Sequence, residues 1–287
     1  MSQFVSADSP IAVIKIGGSI FKTAQSYRQA AAYVRNRHCS WPHERLVVVV
    51  SAQEGLTDEL AATAIAIVPQ PNPASLDLLW STGELRSVAL LALHLQAFGL
   101  CATALGIHET GLTITGTQRA GSSHRPEVHF DSRRLHFGLA RHSVAVVPGF
   151  FAMDPTRGAV SLGRGGSDLT AVMLAQGLKA SRCELIKDVP GYFSADPHSN
   201  PAALHLAHLT FEQALAFADA GCDLVQRKAI ELASQANIQL VIRSLDETAP
   251  FTLVASQHQQ VGYAETFSVE TLVTHRNSIA QPKGAAL

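Results

Sequence analysis

A glycine-rich segment in the middle of the chain carries the residues best suited to binding an anion. It has the sequence LGRGGSDLT at 162–170, follows the strand-like run 143–147 and leads into a helix-forming run. Such a turn presents unpaired backbone N–H groups at the positive end of a helix dipole. Arg164 adds a guanidinium for a carboxylate or phosphate, and Asp168 a carboxylate for a cation or lysine. The pattern predicts an anion site; the alternative is a tight turn capped by Ser167 or Asp168.

A lysine near the amino terminus lies in an apolar strand-like run, just before a Gly-Gly turn in the sequence VIKIGGS. Gly17 and Gly18 let the backbone approach a phosphate closely, and Lys15 can neutralise charge on transferring oxygens. The Walker pattern GxxxxGK[ST] is absent, and an ordinary strand-to-helix turn is the alternative. A lysine is costly to bury without a partner, which favours the phosphate site.

Polar or aromatic residues accompany three further predicted elements. Ser51 and Thr57 follow the run VVVV and could hydrogen-bond a small ligand, or Thr57 could cap a helix. Glu84, in the motif STGE, is expected in the first turn of a long apolar helix, where it suits the helix dipole or receives a substrate ammonium. Tyr192 and Phe193, in the rigid loop DVPGYFSADP, could flank a purine or pack into the core.

Alternating strand-like and helix-like segments separate these motifs. Apolar strands are predicted at 11–16, 46–50, 100–105, 144–147, 183–186 and 238–242. Helices are predicted at 26–37, 57–67, 83–98, 168–178, 211–218 and 226–236. Near-continuous apolar strands between helices indicate an α/β fold, a three-layer αβα sandwich with a mainly parallel central sheet. Polar turns at the strand ends suit a site at the carboxyl edge of that sheet.

Composition excludes several classes of protein. The 287 residues are 47% hydrophobic, enough for a large core, and the net charge of −1 supplies no basic surface for nucleic acid. No apolar run approaches the ~20 residues of a membrane span, and the amino terminus lacks a signal peptide's apolar stretch, so we expect a cytoplasmic protein. The cysteines lack CxxC spacing and the histidines lack HExxH spacing, which argues against a disulfide framework or metal site. Cys101 and Cys183, in apolar surroundings, are expected to be buried free thiols.

Taken in order, the motifs resemble the amino-acid kinase superfamily, and most closely the aspartokinase catalytic domain. The similarity runs over about 11–254 and is densest over 146–197, which contains PGF, LGRGGSDLTA, DVPG and ADP in that order. It implies one amino-acid kinase domain over 1–287, with a substrate-binding lobe over about 1–180 and a nucleotide-binding lobe over about 181–260. By analogy it also implies a homodimer.

The resemblance implies roles for the residues of these motifs. Lys15 and Asp168 would be catalytic: Lys15 would bridge the β- and γ-phosphates of ATP, and Asp168 would orient the charged groups around the transferring phosphoryl. The implied substrate-binding residues are Ser51, Thr57, Glu84, Phe150, Arg164 and Ser167. The implied nucleotide-binding residues are Lys15, Gly17, Gly18, Ser19, Asp188, Tyr192 and Asp196. With Mg²⁺, this chemistry moves the γ-phosphoryl of ATP onto a carboxylate and needs mainly positioning and charge neutralisation.

Several positions depart from the aspartokinase pattern. The threonine before Asp-Val-Pro-Gly is Lys187, and the arginine after Asp-Pro is His198. The motif GAKVLHP is replaced by GCDLVQR, so a nucleotide-facing lysine becomes Asp223. Lys187 or Lys228 could restore the missing positive charge. The opening KIGGSI is more similar to acetylglutamate and uridylate kinases than to the KFGGTS of aspartokinases.

These departures leave three functions open. The first is an ATP-dependent kinase of aspartate or a related amino acid. The second is a kinase of another small acid or a phosphate monoester, and the third is a catalytically silent paralogue that binds nucleotide. Feedback-inhibited aspartokinases carry ACT domains after the kinase domain, and about three dozen residues follow Pro250 here, fewer than the ~50 of a folded module. We therefore expect no internal allosteric site for lysine or threonine.

Overall fold

The computed structural model describes residues 9–115, 127–180, 182–197 and 199–256. Its strands are β1 (Ile11–Ile16), β2 (Arg45–Val50), β3 (Ala102–Ala104), β4 (Leu112–Thr115), β5 (Glu127–Phe130), β6 (Val144–Pro148), β7 (Phe151–Asp154), β8 (Gly158–Ser161), β9 (Arg182–Ile186), β10 (Tyr192–Phe193), β11 (His205–Leu206), β12 (His208–Leu209), β13 (Gln239–Arg243) and β14 (Thr252–Val254). Its helices are α1 (Ala24–Ser40), α2 (Leu56–Ile67), α3 (Pro73–Ala97), α4 (Arg133–Leu139), α5 (Gly166–Gly177), α6 (Phe211–Asp219) and α7 (Arg227–Gln235).

The central sheet has eight strands in the order β12-β14-β13-β9-β1-β2-β6-β3. All its neighbouring pairs are parallel except β13 and β14, which are antiparallel. β1 lies between β2 and β9, and its register pairs Lys15 with Val49 and Leu185. The sheet is continuous across the predicted lobe boundary near residue 180, because β9 pairs directly with β1. The division into two lobes stays a prediction.

Two hydrophobic clusters cover the two faces of this sheet. On one face Val13 packs with residues of α5, α6 and α7, and on the other Ala12, Ile14 and Ile16 pack with residues of α1 and α3. Because side chains alternate along a strand, Lys15 points to the same face as Val13, toward α5. The predicted three-layer α/β fold with a mainly parallel sheet is therefore confirmed.

A second sheet of four strands, in the order β5-β4-β7-β8, is absent from the sequence-based prediction. Its strands have four residues each and several half-exposed positions, so they lack the buried apolar runs that mark the central strands. The glycine-rich segment 162–170 therefore does not follow the strand at 143–147 directly, as the sequence had suggested. The antiparallel hairpin of β7 and β8 lies between them.

Helix α3 begins ten residues before the predicted start at Gly83. Its first residue is Pro73, and the side chain of Asn72 accepts hydrogen bonds from the backbone N–H groups of Ala74 at 3.0 Å and Ser75 at 3.4 Å. Proline at the first position and asparagine at the N-cap are established helix-start signals. The prediction that Glu84 occupies a first turn is therefore wrong, because Glu84 lies in the middle of α3.

Other predictions have mixed outcomes. Cys183 is buried as expected, but Cys101 is exposed beside a carbonyl that it hydrogen-bonds, and all four cysteines are free. In the part of the chain that the structure describes, no helix is long and apolar enough to cross a bilayer. His198 and residues 257–260 of the predicted nucleotide-binding lobe lie outside the described residues.

Candidate active site

A cluster of three buried charged side chains joins β1, α5 and the end of β9. The Nζ of Lys15 lies 2.8 Å from Oδ1 of Asp168. Lys187, the residue after β9, donates from Nζ to both carboxylate oxygens of Asp168, at 3.1 Å and 2.9 Å. The structure therefore brings together two residues that stand far apart in the sequence, and adds a second lysine to the same carboxylate.

The electrostatics of this cluster depend on burial and on its unequal charges. Burial opposes ionisation of Asp168, but the ammonium groups of Lys15 and Lys187 outweigh burial and hold the pKa of the carboxyl well below its usual range. Burial lowers the pKa of Lys187 and the charge of Lys15 lowers it further, while Asp168 acts in the opposite direction. Two protonated lysines and one carboxylate carry an excess positive charge, which an incoming anion would balance.

The Gly-Gly turn after β1 passes close to this cluster. A Cβ atom on Gly17 would lie 3.4 Å from Nζ of Lys15, and one on Gly18 would lie 2.8 Å from the carbonyl oxygen of Ala52. The backbone N–H of Gly17 donates to the carbonyl of Ile186 at 3.2 Å, which ties the turn to the end of β9. Ser19 continues the turn in a short 3-10 helix. Glycine is needed at position 18 because any side chain would collide with backbone.

The carboxyl of Glu84 lies at the other side of the same turn. It is 3% exposed, and its Oε1 accepts a hydrogen bond from the backbone N–H of Ala52 at 3.2 Å. Its Oε2 is buried without a hydrogen-bond partner among the described residues. Burial raises the pKa of Glu84 to about 7, although the Ala52 N–H works against this rise. A buried oxygen of this kind suits a cationic donor such as a substrate ammonium.

The glycine-rich segment 162–170 leads into α5, with residues 163–165 exposed and residues 166–170 buried. Gly165 is the N-cap, at φ 74°, and makes no side-chain capping bond, so neither Ser167 nor Asp168 caps the helix as the alternative had it. Ser167 is buried, while Arg164 is exposed. Helix α2 begins in the same way after Gly55, at φ 78°, so Thr57 is not its N-cap. Both helices therefore present N-terminal N–H groups that no capping side chain covers.

Phe150 connects β6 to the second sheet in an unusual conformation. Its φ is 72°, a region that residues other than glycine seldom adopt. The backbone N–H of Phe150 donates to the hydroxyl of Thr170 at 3.1 Å. The ring of Phe150 lies 6.3 Å from the ring of Trp80. Trp80 is one helical turn before Glu84 on α3, and the sequence analysis did not identify it because a tryptophan in a helix usually packs in a core. A strained residue that neighbours hold in place is typical of functional sites.

Gln226 is a second residue that sequence reasoning missed. Its backbone N–H donates to Oδ2 of Asp168 at 3.3 Å, and its side-chain Nε2 donates to the carbonyl of Arg164 at 2.7 Å. It lies in the GCDLVQR motif, which was noted only for the charge of Asp223. Gln226 thus holds the loop before α7 against the start of α5.

The remaining predicted site residues fall into three groups. Ser51 and Thr57 are half-buried, and the backbone N–H of Ser51, which lies beside the Gly-Gly turn, donates to the carbonyl of Ile16 at 3.3 Å. Tyr192 is 1% exposed and packs 5.2 Å from the ring of Phe217, so its side chain belongs to the core. The residues with exposed side chains are Asp188, Asp196 and Lys228.

The donor set of the site suits phosphate groups. The excess positive charge of the lysines and the glycine turn beside them match phosphate oxygens. Within the described ranges, no three His, Cys, Asp or Glu side chains gather closely enough to hold a metal ion.

Fold and site together define a member of the amino acid kinase family. The profile of that family matches residues 10–244, and the chain belongs to it. Within the family the similarity is to aspartokinases. The aspartokinase of Thermus thermophilus is 36% identical over 256 residues, which cover 89% of this chain and 62% of the relative. That of Pseudomonas aeruginosa is 34% identical, over 86% of this chain and 59% of the relative.

Solved structures agree with this assignment. The aspartate kinase from Synechocystis superposes with a TM-score of 0.74 at 33% identity, covering 90% of this chain and 41% of that one. Uridylate kinase from Archaeoglobus fulgidus shares the fold with a TM-score of 0.61 at 17% identity, covering 86% of this chain and all of that one, 100%. The chain spans about three fifths of the length of the curated relatives it matches. The resemblance inferred from the sequence is confirmed.

Proposed function

We propose that this chain is an ATP-dependent kinase that transfers the γ-phosphoryl group of ATP to the side-chain carboxylate of aspartate. The observation that carries the proposal is the contact of 2.8 Å between Lys15 and Asp168 beside the Gly-Gly turn. The aspartokinase relatives support aspartate as the acceptor, and aspartokinase III of E. coli, at 23% identity and a TM-score of 0.69 over 85% of this chain and 64% of that one, was solved with aspartate and ADP.

At the nucleotide side, Lys15 would bind the β- and γ-phosphates, and Gly17, Gly18 and Ser19 would approach them with the backbone. Asp168 holds the lysine in place by its ion pair. Magnesium would arrive with the triphosphate and be held by phosphate oxygens and water, as this ion commonly is, and would neutralise charge there. In keeping with the family, Asp188 and Asp196 would lie along the nucleotide, with Tyr192 supporting them from the core.

At the acceptor side, Glu84 would receive the ammonium of aspartate through its unpartnered oxygen. Arg164 and Ser167 would bind the α-carboxylate at the N-terminus of α5. Ser51, Thr57 and Phe150 would contact the rest of the side chain. The β-carboxylate oxygen then forms a bond to the γ-phosphorus while the bond from that phosphorus to the β,γ-bridging oxygen breaks, giving an acyl phosphate and ADP. No protein nucleophile is needed.

Trapping the acyl phosphate tests the proposal. Purified protein is incubated with Mg-ATP, hydroxylamine and a panel of carboxylic acids, and hydroxamate is measured for each acid. We expect hydroxamate with aspartate and none with the Lys15→Met variant. Turnover only with a different acid would show that aspartate is not the acceptor. ATP consumption with a phosphate monoester would show that the reaction is not carboxylate phosphorylation. ATP binding without any turnover would show a catalytically silent paralogue.

Two further properties follow as proposals. We propose a homodimer, because Leu78, Leu85 and Leu93 form an exposed apolar stripe on one face of α3, and such stripes mark interfaces. Sedimentation velocity should show twice the monomer mass.

A cytoplasmic location is proposed because the cysteines are free thiols and the proposed reaction consumes ATP.

A further inference from the structure

We propose that Lys187 is a second phosphate-binding ammonium of the phosphoryl-transfer site, acting beside Lys15 on the γ-phosphate. The inference rests on the proposed function in one respect, that the site accepts ATP. Its basis is the arrangement of charge: two lysines share the single carboxylate of Asp168 in a buried position.

The cluster has unequal charges, with two lysines beside one carboxylate. The side chains of Lys15, Lys187 and Asp168 are 7%, 10% and 5% exposed. Within the described residues, Asp168 is the carboxylate that ion-pairs with either lysine. Asp188 is near enough to favour the protonated form of Lys187, but its side chain is exposed. A buried excess of positive charge is costly, and an anion that binds to both lysines removes that cost.

The backbone of Lys187 is anchored to the central sheet. Its backbone N–H donates to the carbonyl of Arg243 at 2.8 Å, so it is fixed to the sheet between two strands. The residue before it, Ile186, accepts the hydrogen bond from Gly17. Lys187 therefore follows directly on the strand end that holds the proposed phosphate-binding turn, with its side chain directed to Asp168.

Of the two candidate lysines, Lys187 is the one that contacts Asp168. Lys228 is exposed in the first turn of α7, whereas Lys187 is buried against Asp168. The loop that carries Asp223 ends beside Lys187, because the backbone N–H of Gln226 and the ammonium of Lys187 both donate to Oδ2 of Asp168. Lys187 thus supplies positive charge to the region where the GCDLVQR motif has an acidic residue instead of a lysine.

The consequence for catalysis concerns the transferring group. As the bond to the β,γ-bridging oxygen breaks, charge is spread over the γ-phosphoryl oxygens and the leaving oxygen. Lys15 and Lys187 are both held by the carboxylate of Asp168, and each would bind one of these oxygens. Fixed ammonium groups in a site that excludes water stabilise such charge more than mobile ones do.

Direct binding measurements separate this role from a structural one. ATP and ADP are titrated calorimetrically into wild type, Lys187→Met, Lys187→Gln and the control Lys228→Met. Lys187→Gln can donate a hydrogen bond but has no charge. If Lys187 contacts the γ-phosphate, Lys187→Met and Lys187→Gln should bind ATP about tenfold more weakly and ADP nearly as well as wild type, and turnover should fall about 100-fold. Lys228→Met should match wild type.

Thermal unfolding of each variant identifies samples that have lost the fold, and Lys187→Gln stands in if Lys187→Met does not fold. Unchanged preference for ATP over ADP in a folded Lys187 variant overturns the inference, as does full rescue by glutamine. A wild-type protein that binds ATP but phosphorylates no aspartate would remove the acceptor and leave the binding test of Lys187 intact. A wild type that binds neither nucleotide would remove the proposed function itself.

Discussion

Glu84 illustrates how burial prepares a single residue for a charged ligand. Its carboxyl is covered by α3 and Ala52 and holds one hydrogen bond where an ionised carboxylate prefers several. Burial raises the pKa of this carboxyl, and its Oε2 has no hydrogen-bond partner among the described residues. A substrate ammonium would supply that partner and return the pKa toward its ordinary range.

The affinity for aspartate should therefore depend on pH near neutrality. Because the pKa of Glu84 is raised to about 7, the carboxylate that binds an ammonium predominates above this pH and is lost below it. We expect the KM for aspartate to rise about tenfold for each pH unit below 7, measured between pH 6 and pH 8 with saturating Mg-ATP.

The Glu84→Gln variant should lose this pH dependence and bind aspartate weakly throughout. Glu59→Gln, which changes an exposed carboxyl on α2, should retain the wild-type profile. A flat profile in wild type would contradict the assignment of the ammonium to Glu84.

At the scale of elements, the turn after β1 packs directly against the backbone of the loop that follows β2. Replacing Gly18 with alanine would put a Cβ atom 2.8 Å from the carbonyl oxygen of Ala52, and neither backbone can move without disturbing β1 or the start of α2. Gly18→Ala should weaken ATP binding about tenfold or more, measured by calorimetry.

Gly99→Ala is the matched control for this variant. Its Cβ atom meets nothing within 4 Å, but its φ of 81° strains any residue other than glycine. It should lower the free energy of unfolding by about 1 kcal/mol and leave ATP binding unchanged. Equal ATP affinity in Gly18→Ala and wild type would show that the turn does not approach phosphate.

The elements that could be predicted from sequence are those with a strong periodic signal. β1 was predicted at its observed bounds, since its apolar run is bounded by a proline and a Gly-Gly turn. β4, β5, β7 and β8 were missed because strands of four residues are too short to show a period. The start of α3 was predicted ten residues too late, at Gly83, although proline at position 73 favours the first position of a helix.

The site was predictable to a similar extent and for a related reason. Lys15 and Asp168 were identified because a charged residue beside a glycine turn stands out locally. Lys187 was noted, but its contact with Asp168 depends on where β9 lies in the sheet. Gln226 could not be recognised, because its partners are a carboxylate and a carbonyl that only tertiary structure brings to it.

For the whole molecule, Gln226 is, with Lys187, one of the residues through which the two predicted lobes meet at the site. Its side chain holds the carbonyl of Arg164, while its backbone reaches Asp168. The Gln226→Ala variant loses the side-chain hydrogen bond to the Arg164 carbonyl and keeps the backbone hydrogen bond to Asp168. We expect the KM for aspartate to rise about tenfold, because the turn that carries Arg164 loses its support, with ATP affinity little changed.

Gln235→Ala, at the exposed end of the same helix α7, is the control and should have wild-type kinetics. If both variants behave alike, the contact with Arg164 has no part in substrate binding.

The place of β1 in the middle of the sheet has a consequence for how the protein is made. Lys15 is synthesised long before Leu185, so its strand gains its second neighbour only when β9 emerges. Contacts so distant in sequence are slow to form, because a long loop must close before they contribute. A nascent chain that stops short of β9 would therefore expose one side of β1 and lack the proposed phosphate-binding residue Lys187.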